Sequence, residues 1–326
     1  MTQAQWPMVS VIAPVRNRGE LLSALLASLG RQEYPSDRLE LLVMDNDSSE
    51  PIEEIVRQFA RTARFRVLYF RVKCRHPASS RQAALGHAAG EVLAFIDSDC
   101  VASTQWLARG VQAIQAGHGL AQGMTLPDPA QPLRLLDHTV CVTREGPCYE
   151  TCNVFYLAQA VRRVGGFSPE YERFGLYFGE DIDLAHKVKR AGYTSAFVPE
   201  ALVYHHVFHL SLWRWATEPR HALTWPYIVR KFPEIRRQLF CRYFLTRRSA
   251  CFDLLAVGVS GACIWHWALA LLALPYLVIM AFEPGRAQRR YNIFLALARA
   301  VLTAPRAGCL MVLLIIGSIR FRSLLL

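Results

Sequence analysis

Between residues 8 and 100 short apolar runs alternate with stretches of helical periodicity, and this pattern most narrows what the chain can fold into. Residues 8–13 read as a strand broken by Pro14, residues 20–31 as a helix, and "LELLVMDNDSS" as a second strand ending in a polar cluster. Residues 53–63 are helical again, "FRVLYFR" is strand-like, residues 79–89 are helical, and residues 92–96 form a strand that runs into "DSDC". Strands separated by helices imply an α/β domain with a mostly parallel sheet, since parallel neighbours need a crossover between them. Ligands of such sheets collect at the carboxyl ends of the strands, where Asp45 and Asp97 fall.

Asp97 and Asp99 stand one residue apart at one of these ends. Two neighbouring carboxylates repel each other unless a cation compensates them, and a divalent ion that also bridges two phosphates would do so. In "GEDIDLAHKVKR" the acids open a helix, with Ile182, Ala185 and Val188 along one side. The partial positive charge of a helix N-terminus favours ionised carboxylates there, although Glu180, Asp181 and Asp183 are also ordinary first-turn residues.

The 326 residues carry a net charge of +11, and its distribution is uneven. Residues 1–210 hold 21 Lys+Arg against 22 Asp+Glu, whereas residues 211–326 hold 16 against 4. A nucleic-acid-binding module would carry the excess on its folded body, so a membrane surface fits better and no nucleic-acid partner is expected. Residues 254–282 contain no Asp, Glu, Lys or Arg. As one helix they would measure roughly 43 Å, longer than the hydrocarbon core of about 30 Å, so a tilted span and two helices divided near Trp265-His266-Trp267 or Pro275 are both open. A second apolar run, residues 307–319, is short for a span and reads as interfacial or re-entrant. Arg247 and Arg248 precede the first run and Arg286, Arg289 and Arg290 follow it, so both flanks are expected on the cytoplasmic side of the cell inner membrane, as a hairpin or monotopic insertion. Residues 213–248 hold nine basic and two acidic residues among aromatics; this could bind RNA, but a juxtamembrane collar is the reading that suits the run behind it.

"MTQAQWP" has no basic region followed by an apolar one, so no signal peptide is expected. Nine scattered cysteines without a CxxC pair indicate neither a disulfide framework nor a zinc site, which suits a reducing, cytoplasmic catalytic portion.

From about residue 8 to about residue 210 the sequence resembles the family 2 glycosyltransferases of the GT-A fold. Pro14-Val15-Arg16-Asn17-Arg18 is similar to the family's first strand end, Asp45-Asn46-Asp47-Ser48 to its second acidic cluster, and "RQAALGHAAGE" to the helix before its metal-binding DxD at Asp97 to Asp99. "NVFYLAQAVRRVGGF" and "GEDIDLAHKVKRAGY" are similar to its later Gly-Gly-Phe and Glu-Asp segments. Pro199, Ala201 and Val203 put His205 where many relatives have a histidine at the metal or diphosphate site.

The resemblance implies a GT-A-like, mostly parallel mixed sheet flanked by helices, with a C-terminal helical membrane-associated region. It implies a catalytic domain at 1–210, divided into a nucleotide-binding half at 1–100 and an acceptor half at 101–210. A basic aromatic segment at 211–250 and apolar helices at 251–326 follow. The implied activity is inverting transfer of a single sugar from a nucleotide diphosphate sugar, a UDP-sugar favoured, to a lipid-linked or envelope glycan hydroxyl. Asp181 would be the base with Glu180 beside it. Pro14, Arg16, Asn17, Asp45, Asn46, Arg81, Asp97 and Ser98 would bind the nucleotide sugar. Asp97, Asp99 and His205 would hold Mg²⁺ or Mn²⁺.

The chain departs from the family pattern at Arg16, usually Tyr, and Gln82, usually Asn, either of which could alter the nucleotide pocket. It also departs at Cys100, often Asp, which reads as packing. The processive relatives' Gln-x-x-Arg-Trp is reduced to Arg214-Trp215, with Ser211 at the Gln position, which favours single transfer. A catalytically silent sugar-nucleotide-binding or scaffolding protein remains open, as does a sugar-1-phosphate nucleotidyltransferase, although "APVRNRGELL" lacks the latter's Gly-rich loop.

Overall fold

The structure is a computed structural model that describes residues 6–74, 76–134, 136–173, 175, 178–282 and 293–326. In chain order it begins β1 (Val9–Val15), α1 (Gly19–Leu29), β2 (Leu39–Asn46), α2 (Ile52–Ala60), β3 (Arg66–Val72), α3 (Pro77–Leu85), β4 (Val92–Ile96), β5 (Cys100–Ala102) and α4 (Trp106–Gln115). Then come β6 (Leu120–Pro127), β7 (Asp137–His138), β8 (Asn153–Leu157), α5 (Ala158–Arg163), α6 (Glu170–Arg173), α7 (Glu180–Arg190), β9 (Ser195–His205) and β10 (Phe208–His209). The last part is helical: α8 (Leu212–Thr217), α9 (Trp225–Lys231), α10 (Arg247–Ile264), α11 (Leu274–Phe282) and α12 (Ile293–Phe321). The chain divides into two compact units, residues 1–131 with 139–207, and residues 132–138 with 208–326.

In the first unit eight strands of the described residues form one mixed sheet in the order β3-β2-β1-β4-β8-β6-β9-β5. β3, β2, β1 and β4 run parallel, β8 is antiparallel to both neighbours, β9 is parallel to β6, and β5 closes antiparallel on β9. The α/β expectation of a mostly parallel mixed sheet therefore holds.

The central strands are apolar on both faces because helices cover both. Val9, Val11, Ala13 and Val15 of β1 pack with α1 and α4 through Leu22, Leu25, Leu26, Trp106 and Val111. The alternate residues Ile12, Leu42, Met44, Leu93 and Phe95 pack with Ala84, Val161, Leu184 and Val188 of α3, α5 and α7. The period of two along each strand thus sorts the core into two layers. Pro14 does not end β1 as the sequence suggested. Pairing of β1 with β4 stops at Ile12, so the missing N–H lies where β1 has β2 alone as a neighbour. The helix expected at 79–89 instead starts at Pro77, where the buried His76 ring accepts the Ala78 N–H, and it stops before Gly86.

The buried Asn153 ties the far half of the sheet together. Its amide nitrogen donates to the carbonyls of Met124 (2.7 Å) and Ala201 (2.9 Å), and its oxygen accepts the Trp106 indole N–H (2.8 Å).

In the second unit the run 254–282 is not one span. α10 ends at Ile264, Trp265-His266 turns the chain, a 3₁₀ helix follows over Trp267–Ala273, and α11 begins at Leu274. The His266 ring caps the second limb by accepting the Ala268 N–H. The run 307–319 is longer than its uncharged core suggests: it belongs to α12, in which Ala300–Phe321 is long and apolar enough to cross a membrane by length and composition. Arg286, Arg289 and Arg290 lie outside the described residues.

Replacing Asn153 by Ala leaves one indole N–H and two carbonyls buried without partners, at about 1–3 kcal/mol for each unsatisfied group. The expected result in urea unfolding followed by far-UV circular dichroism is a clearly lower midpoint for Asn153→Ala. An unchanged midpoint would show that these bonds do not hold the sheet.

Candidate active site

Parallel strands bring their carboxyl ends to one edge, so Arg16 and Asn17 after β1, Asp45 to Ser48 at β2 and Asp97 to Asp99 after β4 share that edge. Asn17 and Asp47 adopt left-handed backbone conformations (φ 51° and 52°), which short polar side chains tolerate. The Asn17 side-chain oxygen accepts from the Ser49 N–H (2.8 Å), and its own N–H donates to Ser48 Oγ (3.0 Å). Both Asp45 oxygens are engaged, by the Ser48 N–H (3.0 Å) and by the Tyr69 hydroxyl (2.6 Å). Burial and the Asp45 carboxylate raise the Tyr69 pKa, so it remains a donor. Asn46 accepts from the Cys74 N–H (2.9 Å), Arg16 is exposed near Asp47, and Pro14 and Ser98 lie in or beside the strand ends.

The two acids of "DSD" face different partners. Asp97 Oδ1 accepts from Arg81 Nη2 at 2.6 Å, while Asp99 Oδ2 is paired with Arg18. On its other side Asp99 Oδ1 lies 3.6 Å from His205 Nε2. β5 pairs with β9 in a register that sets Cys100 opposite His205, and the His206 N–H donates to the Asp99 carbonyl (2.9 Å). This explains how residues a hundred positions apart meet.

A ligand atom from each of Asp99, Cys100 and His205 lies within 4.8 Å of the others, and Asp97 is not in this group. Asp97, expected as a second metal ligand, pairs with Arg81. Cys100, expected as packing alone, has its sulfur 3.9 Å from Asp99 Oδ1, and burial raises its pKa so that it stays a thiol. His205 Nδ1 donates to the His206 carbonyl (2.8 Å), so in the neutral ring Nε2 presents a lone pair toward the Asp99 carboxylate. Two acceptor atoms facing each other suit a divalent cation, for which the carboxylate and the imidazole are both competent ligands. Asp99 and His205 would be the residues that hold it.

Arg81 joins this edge to α7. Its side chain is buried, with Nη1 3.8 Å from Glu180 Oε1, and Asp97, Asp181 and Glu180 all act on its charge. Asp181 Oδ2 accepts from the N–H and hydroxyl of Thr151 (3.2 and 3.3 Å). Burial and the neighbouring Asp181 push Glu180 up to about 8, and burial raises Asp181 above the usual carboxylate range. Glu150, also raised by burial and by Asp181, stands at about 7. Arg81 Nε and Glu180 Oε2 are buried without a hydrogen-bond partner among the described residues. Gly179, just before α7, has φ 107°, a conformation that orients the two acids and that side chains resist. Asp183, in contrast, is spent on structure: it accepts from Ser168 Oγ (2.5 Å) and pairs with Lys187 (3.2 Å).

Of the residues singled out in the sequence, Arg81, Asp97, Asp99, Glu180, Asp181 and His205 form two linked groups, and Asn17, Asp45 and Asn46 build the loops beside them. The Gln82 side-chain oxygen accepts the Phe167 N–H (2.7 Å), so it braces the Gly-Gly-Phe turn. His209 pairs with Asp137 in the second unit. Sequence reasoning missed Arg18, Tyr69, Glu150 and Thr151; only Arg18 had a signal, as the last residue of "PVRNR".

The chain's residues 10–135 match the profile of glycosyl transferase family 2. Curated relatives include the glycosyltransferase AglE of Haloferax volcanii, 29% identical over 208 residues that cover 61% of this chain and 67% of that one. The succinoglycan biosynthesis protein ExoM of Rhizobium meliloti is 30% identical over 223 residues, 63% of this chain and 66% of that one. The chain spans about half of the validoxylamine A glucosyltransferase of Streptomyces hygroscopicus subsp. jinggangensis (52% of that chain, 57% of this one, 25% identity). Among solved structures, the mannosyltransferase PcManGT from Pyrobaculum calidifontis in complex with GDP-Man and Mn²⁺ superposes with a TM-score of 0.59 at 19% identity, covering 98% of this chain and 88% of that one. The S. aureus TarS fragment in complex with UDP gives 0.51 at 16%, covering 96% and 91%. Residues 10–135 are therefore a family 2 glycosyltransferase domain, carried on a GT-A-like fold.

Proposed function

We propose that this glycosyltransferase moves one sugar from a nucleotide diphosphate sugar to a hydroxyl of a lipid-linked or envelope glycan acceptor, with inversion at the anomeric carbon. The observation that carries the reading is Arg81, buried between Asp97 at the donor-side strand end and Glu180 and Asp181 at the start of α7. One guanidinium thus sets the distance between a diphosphate-binding edge and a carboxylate pair.

Asp45, Asn46, Asn17 and Arg16 contact the base and ribose, with Pro14 and Ser98 shaping the same edge. Arg81 and Asp97 hold the diphosphate side; solved neighbours of the same fold bind UDP, UDP-GlcNAc and GDP-Man, which supports a nucleotide-sugar donor, and a UDP-sugar is the one favoured here. Asp99 and His205 would hold a divalent ion, which would supply positive charge against the charge that develops on the leaving diphosphate. Asp181, fixed by Thr151, takes the proton of the acceptor hydroxyl as that oxygen attacks the anomeric carbon. Burial and the Asp97 charge keep the proton affinity of Asp181 high, against the pull of Arg81. A single displacement without a covalent enzyme intermediate inverts the configuration. The first unit is the catalytic part, placed at the cytoplasmic side of the inner membrane by the basic flanks of the apolar second unit.

Asp181→Asn should lower kcat by about 10²–10⁴-fold, the usual range for a lost general base, while nucleotide binding is retained. Transfer at the wild-type rate would remove Asp181 from the role.

The pH profile follows from the raised carboxyls. A carboxyl whose pKa is raised stays protonated, and therefore inactive as a base, up to a higher pH. The acid limb of kcat/KM should thus lie above the ordinary carboxylate value of about 4, because burial raises Asp181. An acid limb at about 4 would separate Asp181 from the base role.

Calorimetric titration with UDP, GDP, dTDP and CDP, in Mn²⁺ and then with excess chelator, identifies the donor class. Metal-dependent binding of one nucleotide that is lost in Asp99→Ala supports the reading, and a folded protein that binds none of them overturns it.

A further inference from the structure

α12 passes the length test for a membrane span, yet its partners do not permit one. Arg306, in the helix interior, donates to the Trp215 carbonyl (2.6 Å), lies over the Trp215 ring and pairs with Glu218. Glu218 also pairs with His138 Nδ1 (2.9 Å); against the effect of burial, that bond and the Arg306 charge hold it at about 2. Farther along, Arg230 Nη1 donates to the Phe321 carbonyl (3.0 Å), and Tyr227 packs on the Phe321 ring. From residue 306 to residue 321 the helix is therefore laid against α8, the 3₁₀ helix Glu218–Thr224 and α9, a layer that includes Arg214, Arg220, Arg230 and Lys231. A crossing α12 would carry that charged layer into hydrocarbon, at about 2.5–3.5 kcal/mol or more for each buried basic residue.

The opposite side of α12 is apolar and bare. Val301, Val312, Ile315, Ile316 and Ile319 are exposed, and their spacing places them on one helical stripe. A second bare surface lies at the turn after α10, where Ile264, Trp265 and Trp267 are 76%, 86% and 73% exposed. The two limbs of that hairpin are closely packed: a β-carbon on Gly258 would lie 2.7 Å from the Leu269 carbonyl. The hairpin is therefore a formed element and not a loose loop.

Its length limits its reach. The exposed Arg247 and Arg248 keep the start of α10 at a polar surface. The 11 uncharged residues from 254 to 264 extend about 16 Å, roughly half of a hydrocarbon core about 30 Å thick. Tryptophans favour the headgroup boundary, so the hairpin enters obliquely and reaches less deep than its length.

We propose that the second unit is a monotopic docking module for an anionic lipid bilayer: the Trp265-His266-Trp267 hairpin tip and the exposed stripe of α12 enter one leaflet, and neither crosses it. The basic residues between 214 and 248 supply the charge complementarity with anionic headgroups. The inference does not depend on the sugar-transfer reading, because it uses only residues of the second unit.

The test uses the full chain and preformed vesicles of phosphatidylcholine with phosphatidylglycerol, scored by flotation. Wild-type protein should float, and Trp265→Ala with Trp267→Ala should reduce partitioning about tenfold or more. Ile316→Glu with Ile319→Glu should do the same, so the two surfaces are checked independently, with circular dichroism confirming that each variant is folded. Cys241 and Cys263 are exposed native reporters in the same unit. With vesicles bound, an impermeant maleimide outside should label Cys241 while Cys263 becomes protected, and the same reagent enclosed in the lumen should label neither. Labelling of Cys263 from the lumen would mean that the hairpin crosses the bilayer, and equal flotation of the wild type and both double variants would mean that these surfaces are not the docking face. Either result overturns the proposal.

Discussion

The site is organised by one buried cation. Arg81 enters the interior at the cost of its hydration, and the carboxylates around it must repay that cost. Asp97 comes from the end of β4, whereas Glu180 and Asp181 come from a helix more than eighty residues later, so the requirement to neutralise one guanidinium fixes how the two halves of the sheet meet. Removing the arginine would leave three acids facing one another. Removing one acid would leave the arginine under-compensated. The geometry of the site and the stability of its surroundings are therefore set by the same charges.

Much of this was legible in the sequence for a simple reason. Strand-helix alternation locates strand ends, and polar residues at those ends have few other uses in a buried parallel sheet. Asp45, Asp97 and Asp99 drew attention on that ground, whereas Glu180 and Asp181 stood at an ordinary acidic helix start and took on a role only through the resemblance to the family. The division of labour between Asp97 and Asp99 was not legible, because it depends on which cation each faces. His205 and Asp99 meet through an antiparallel register between β5 and β9 that no local pattern encodes. Thr151 and Glu150 lie in an irregular stretch before β8 and acquire meaning only through the acid of α7 that they approach. Gln82 looked like a donor-pocket departure because its neighbour Arg81 is a site residue, but one step along a helix turns a side chain by about 100° and sends it to the Gly-Gly-Phe turn.

The second unit was harder to read for a different reason. Hydropathy measures what a segment lacks and does not report what it touches. The run 254–282 and the run 307–319 are both free of charge, yet one folds back at a capping histidine and the other is the middle of a longer helix whose Arg306 is satisfied by Glu218. The flank that ends the second run at Arg306 is thus a packing contact, and a window that stops at the first charge underestimates the element.

Gly179 touches none of the reacting groups, yet its backbone turns left-handed one residue before the acid pair begins. A side chain there would favour a different φ, and the first turn of α7 would rotate, taking Glu180 and Asp181 with it. The identity of the acids is written at positions 180 and 181, but their aim is inherited from a residue with no side chain. In a diverging lineage the loss of that glycine would turn Glu180 and Asp181 away while both acids remained in the sequence.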